Sequence, residues 1–116
     1  MRRLLAAVIV ATCVATALPS TAAAARMRSC GVISEYRVAA DAQTTTCGLS
    51  RSAMRDFLRR ASSGTPRSIV GRSPKTGRRY RLTRASVRRT QTTFTSLYTG
   101  RAGQAVLRVR ISSSIY

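Results

Sequence analysis

The chain of 116 residues has no histidine, no tryptophan and no asparagine, a single lysine (Lys75) and only three carboxylates, Glu35, Asp41 and Asp56. Without histidine, neither a Ser-His-Asp nor a Cys-His catalytic arrangement can be assembled, and the commonest metal ligand is missing. Three carboxylates allow at most one glycosidase-type pair. Asp56 stands four residues before Arg60, a helical ion-pair spacing, and Glu35 lies beside Arg37, so both read as partners in solvated surface pairs. One lysine in a turn gives a Ser-Lys dyad no support. The sequence points away from an enzyme, and it carries no cofactor fingerprint and no metal-ligand cluster.

Long apolar runs are also scarce. Residues 4–18 (LLAAVIVATCVATAL) are uncharged and largely apolar, but fall short of the roughly 20 residues that a bilayer span needs. They follow Arg2 and Arg3 and precede small residues offering A-x-A sites, the three regions of a secretory signal peptide. Cleavage is expected after Ala25, with Ala17 an earlier option. Thr12 occupies the position before Cys13 where a lipoprotein signal takes Gly or Ala, so Cys13 is expected to leave with the signal. Residues 1–25 are read as a signal peptide and residues 26–116 as one secreted domain, extracellular after cleavage, with no transmembrane span in the mature form.

Two cysteines remain, Cys30 and Cys47. An exported pair meets oxidising conditions and is expected to close as a disulfide. Their separation of 17 residues corresponds to about 3 kcal/mol in the loop-entropy picture.

Residues 32–40 alternate, with Val32, Tyr36, Val38 and Ala40 on one face and Glu35 and Arg37 on the other, as in a half-buried strand. Residues 41–46 are turn-like, and Thr45 or Thr46 can cap the helix that follows. Over residues 47–62 the period becomes helical: Leu49, Ala53, Met54, Phe57, Leu58 and Ala61 form one stripe, and Ser63, Gly64 and Pro66 stop it. Residues 66–77 hold two prolines and a Pro-Lys-Thr-Gly turn and read as a loop. Residues 78–84, 92–99 and 104–111 read as strands, the last two joined by a four-residue connection, 100–103. The expected fold is α+β: one amphipathic helix packed on a small, mainly antiparallel sheet, in the order β-α-β-β-β, with one disulfide.

What the sequence has in excess is arginine, which makes up 20 of its 21 basic residues and brings the net charge to +18. Candidate anion-binding positions are Arg51, Arg55 and Arg59 along the outer face of the helix and Arg79, Arg81, Arg108 and Arg110 on outward strand positions. Guanidinium forks suit phosphate and carboxylate. Arginine in place of lysine, abundant alanine and missing asparagine carry the coding bias of a GC-rich genome, which does not account for so few acids. The expected partners are anionic polymers or cell-envelope components, such as teichoic acids, lipid head groups, extracellular nucleic acid or acidic polysaccharides. The alternative is another secreted protein, bound as an inhibitor or accessory subunit through residues 66–77. No reader motif or aromatic platform supports sequence-specific recognition of nucleic acid. A membrane-lytic use of the helix competes with its duty in so small a core.

The alanine-rich signal, Cys30-Gly31-Val32-Ile33, Thr44-Thr45-Thr46-Cys47 ahead of the helix, and Gly77-Arg78-Arg79-Tyr80-Arg81-Leu82-Thr83-Arg84 together resemble small secreted α+β proteins of actinobacteria. The resemblance implies export and fold class and carries no activity. That group often has a second bridge, from near Leu82 and Thr83 to the last strand; this chain has cysteine at neither place.

Overall fold

The computed structural model describes residues 26–114; the expected signal segment, residues 1–25, lies outside the described residues. Two strands, β1 (Met27–Ile33) and β2 (Tyr36–Asp41), precede the helix α1 (Cys47–Arg60), which ends in a 3-10 turn over Ala61–Ser63. Four strands follow: β3 (Ser68–Arg72), β4 (Arg79–Arg89), β5 (Thr93–Ala102) and β6 (Ala105–Ser114). All six form one antiparallel sheet in the order β1-β2-β6-β5-β4-β3. One helix on a mainly antiparallel sheet with one bridge is what the sequence leads one to expect. The order β-α-β-β-β is not, because the chain runs β-β-α-β-β-β-β and sheet dominates it.

Three local differences produce that change. The single strand expected over residues 32–40 is a hairpin, turning at Ser34 and Glu35 with Ile33 opposite Tyr36. Ser34 takes the left-handed conformation, φ 59°, that such two-residue turns require. Val32 therefore pairs with Arg37 on the opposite face from Tyr36 and Val38, and is 63% exposed rather than buried. Residues 66–77, expected as a loop, hold β3. The connection expected over residues 100–103 shrinks to a turn at Gly103 (φ 65°) and Gln104, as β5 runs on through Ala102.

The helix begins where Thr46 Oγ accepts the Leu49 backbone N–H at 3.2 Å, with Arg59 and Arg60 in its last turn and Gly64 (φ 118°) beyond it. Leu49, Ala53, Met54 and Phe57 are buried against Val38, Ala40, Ile69, Leu82, Tyr98, Leu107, Val109 and Ile111 of the sheet. Leu58 and Ala61 pack at the margin. Each large side chain so buried contributes about 1.5–3 kcal/mol. Gly71 lets β3 approach the helix, since a Cβ there would stand 3.0 Å from the Leu49 carbonyl oxygen and 3.2 Å from the Ala53 Cβ.

The same helix serves both edges of the sheet. At β1, Arg51 Nε donates to the Cys30 carbonyl at 2.9 Å, and the Cys30–Cys47 disulfide ties that strand to the helix start with Cα atoms 5.2 Å apart. At β3, the Val70 N–H donates to Asp56 Oδ2 at 2.8 Å and the Arg72 N–H to Ser52 Oγ at 2.9 Å. Edge groups that would otherwise offer a pairing template are occupied by side chains. Among the described residues, no helix is long and apolar enough to cross a membrane.

Candidate functional site

Among the described residues, the helix covers only one face of the antiparallel sheet and the other face is open. The register decides what stands there. Arg37 of β2 is opposite Ser112 of β6, Ser112 opposite Thr95 of β5, and Thr95 opposite Arg88 of β4. One row along, Ala39, Arg110, Leu97 and Ser86 are neighbours in turn; in the next, Arg108, Thr99, Thr83 and Ser68. Arg101 follows beside Val106, Arg81 beside Val70, and Arg72 beside Arg79. Eight arginines thus share the open face, and all but Arg108 are exposed. Leu97, Val70 and Val106 are half-buried on the same face.

The three acids do little to neutralise this face. Glu35 is exposed in the β1–β2 turn. Asp41, at the end of β2, is buried and accepts the Gln43 backbone N–H at 2.9 Å and Arg108 Nη1 at 2.7 Å. Burial pushes its pKa up, but the Gln43 N–H and the Arg108 guanidinium outweigh that and hold it below the ordinary carboxylate value. Asp56 is also buried, bonded to Arg59 at 2.5 Å, to Arg60 at 2.8 Å and to the Val70 N–H. Burial again raises its pKa, and Arg59, the Val70 N–H and Arg60 together lower it further than that. The expected pairing of Asp56 with Arg60 is present. The expectation of a solvated surface pair is corrected for Asp56, which is 3% exposed because it also accepts the Val70 N–H. Glu35 is exposed, but among the described residues it forms no ion pair with Arg37.

No known protein family, curated protein or solved structure matches the chain.

Of the arginines singled out in the sequence, Arg79, Arg81, Arg108 and Arg110 do share one sheet face, brought there by β5 lying between β4 and β6. Arg108 is held to Asp41 and is part of the framework. Arg51, Arg55 and Arg59 lie on the helix, on the other side of the sheet; Arg51 is engaged by Cys30 and Arg59 by Asp56, while Arg55 is exposed. Sequence reasoning missed Arg37, Arg72, Arg88 and Arg101. Arg37 alternates with Tyr36 and Val38 and was legible as outward. Arg72 and Arg101 fell in segments that read as loops, and a register shift between Arg84 and Ser86 hides the outward position of Arg88.

Among the described residues, no aromatic ring stands on the open face. Tyr36, Phe57, Phe94 and Tyr98 cluster on the helix side with centroids 5.4–6.4 Å apart. Tyr98 is fully buried and donates its hydroxyl to the Pro66 carbonyl at 2.7 Å; burial pushes its pKa up to about 12. Chemically, the described residues of the open face offer forked cationic donors and threonine hydroxyls and no stacking surface.

Proposed function

We propose that the protein is a secreted cationic binding module that associates with anionic cell-envelope or extracellular polymers through the open face of its sheet. The observation that carries this reading is the row-by-row gathering of Arg37, Arg72, Arg79, Arg81, Arg88, Arg101 and Arg110 on one uncovered face. Asp41 is taken by Arg108 on this face and Asp56 by Arg59, Arg60 and the Val70 N–H, so the other seven arginines have no carboxylate partner in the ion pairs of the described residues. Like charges at neighbouring strand positions cost stability and keep a compact fold under self-repulsion. A polyanion laid across the face relieves that cost and releases its own counterions. Guanidinium rather than ammonium favours bidentate contacts to phosphate, sulfate or carboxylate. The lack of an aromatic platform favours recognition of charge density over recognition of bases.

The test is retention on heparin and on purified cell wall for the protein and for the variant R37S/R81S/R101S/R110S, four exposed positions. The proposal expects the variant to elute at much lower salt with its fold intact. Equal elution of the two proteins sinks it. Arg108 is left out of the variant because its loss would strand Asp41.

A further inference from the structure

Around the edge of the sheet, α1, β3 and β4 enclose a second cationic feature. A groove of about 350 Å3 is lined by Ser52, Arg55, Arg59, Arg72 and Arg79. A second hollow, lined by Gly48, Arg51, Pro74 and Gly77, adjoins it and shares Ser52, Arg55 and Arg72 with it. Arg72 and Arg79 stand directly opposite each other in the β3–β4 ladder, an arrangement of like charges that is destabilising by itself. Asp56 lies at the wall of the groove but has no oxygen to spare: Oδ1 is taken by Arg59, and Oδ2 by Arg60 and the Val70 N–H. Asp41 is paired with Arg108, and Glu35 stands in the β1–β2 turn. Arg55, Arg72 and Arg79 therefore face one concavity with no carboxylate of their own.

We propose that this groove is a discrete site for a compact multivalent anion, namely a phosphate monoester or pyrophosphate group. Charge density selects the class. A carboxylate brings one negative charge to three guanidinium groups. A phosphate monoester carries about −1.5 to −2 at neutral pH with three strong acceptor oxygens, and pyrophosphate offers more of both. Forked contacts from Arg55 on the helix and Arg72 and Arg79 on the strands reach such a group from two sides. No aromatic side chain is among the residues lining the groove, so the phosphate itself is what it recognises. The groove shares Arg72 and Arg79 with the β3–β4 end of the sheet face and adds Arg55 from the helix, and its occupancy needs no polymer.

Titration calorimetry of the protein with pyrophosphate, orthophosphate and sulfate at matched ionic strength tests this. Pyrophosphate is expected to bind at one-to-one stoichiometry and about tenfold or more tighter than sulfate, and R55S/R72S is expected to weaken it at least about tenfold. R37S/R81S/R101S/R110S, which spares the groove, is expected to bind pyrophosphate like the parent protein. Should R55S/R72S fail to fold, Arg55→Gln alone is expected to lose about threefold. Sulfate matching pyrophosphate, or unchanged pyrophosphate affinity in a folded groove variant, overturns the assignment. Loss of pyrophosphate binding with heparin retention kept, or the reverse, separates the groove from the sheet face.

Discussion

The Asp56 carboxylate on the helix accepts the backbone N–H of Val70 on β3 at 2.8 Å while holding Arg59 and Arg60 on its own helix. One buried side chain thus closes an edge of the sheet and fixes where the helix lies on it. Asp56→Ala strands the Val70 N–H and frees two arginines beside a groove that is already cationic. It is expected to cost about 2 kcal/mol, lowering Tm by about 10 °C in circular-dichroism melts. Glu35→Ala, in the exposed turn, is expected to change stability by less than about 0.5 kcal/mol. Equal effects of the two would contradict the role given to Asp56.

Acid sensitivity follows from the same contacts. Asp41 and Asp56 both have folded-state pKa values below the ordinary 3.8. Their contribution is fully present above that value and is lost as pH falls below it, because the unfolded chain takes up protons first. Tm is expected to hold steady between about pH 5 and 8 and to drop below about pH 4, less steeply in Asp56→Asn. A flat profile down to pH 2 would contradict this.

Arg108 and Arg110 are neighbours on the same face with different duties. Arg108→Ser leaves buried Asp41 without its ion-pair partner and is expected to destabilise the protein by about 2 kcal/mol. Arg110→Ser, exposed, is expected to be within about 0.5 kcal/mol of the parent yet to weaken polyanion binding. Thermal melts beside heparin retention distinguish the two.

Ser34 turns the first hairpin at φ 59°. Ser34→Gly removes the left-handed penalty, in part offset by chain entropy, and is expected to stabilise by about 0.5 kcal/mol. A clear loss in a chemical-denaturation midpoint would mean that the serine side chain supports the turn.

The parts of the fold legible in the sequence are those specified by local pattern. The stripe from Leu49 to Phe57, the alternation of Leu107, Val109 and Ile111, and the Cys30–Cys47 spacing each name one element or link, and each is present. The first hairpin was hidden because its turn is Ser34-Glu35, without the Asn-Gly or Asp-Gly signal, and because Val32, Tyr36, Val38 and Ala40 keep the spacing of one strand face across it. Strand β3 was hidden for another reason. It is five residues long with a glycine inside, and its outer N–H groups are satisfied by Ser52 and Asp56, 20 and 14 residues away. Only tertiary structure supplies those partners. The arginine face was half legible: outward alternation identified Arg79, Arg81 and Arg110, while Arg72, Arg88 and Arg101 depended on strand lengths and a bulge. The pairing of Asp41 with Arg108, 67 residues apart, depended on β2 and β6 being neighbours.

The salt dependence of polyanion binding tests the central proposal most directly. Each arginine that neutralises an anionic group adds to the slope of log K against log salt, so R37S/R81S/R101S/R110S is expected to flatten the slope for heparin by about three relative to the parent protein. An unchanged slope in the folded variant would show that these arginines do not meet the polymer, and would contradict the sheet face as its binding surface.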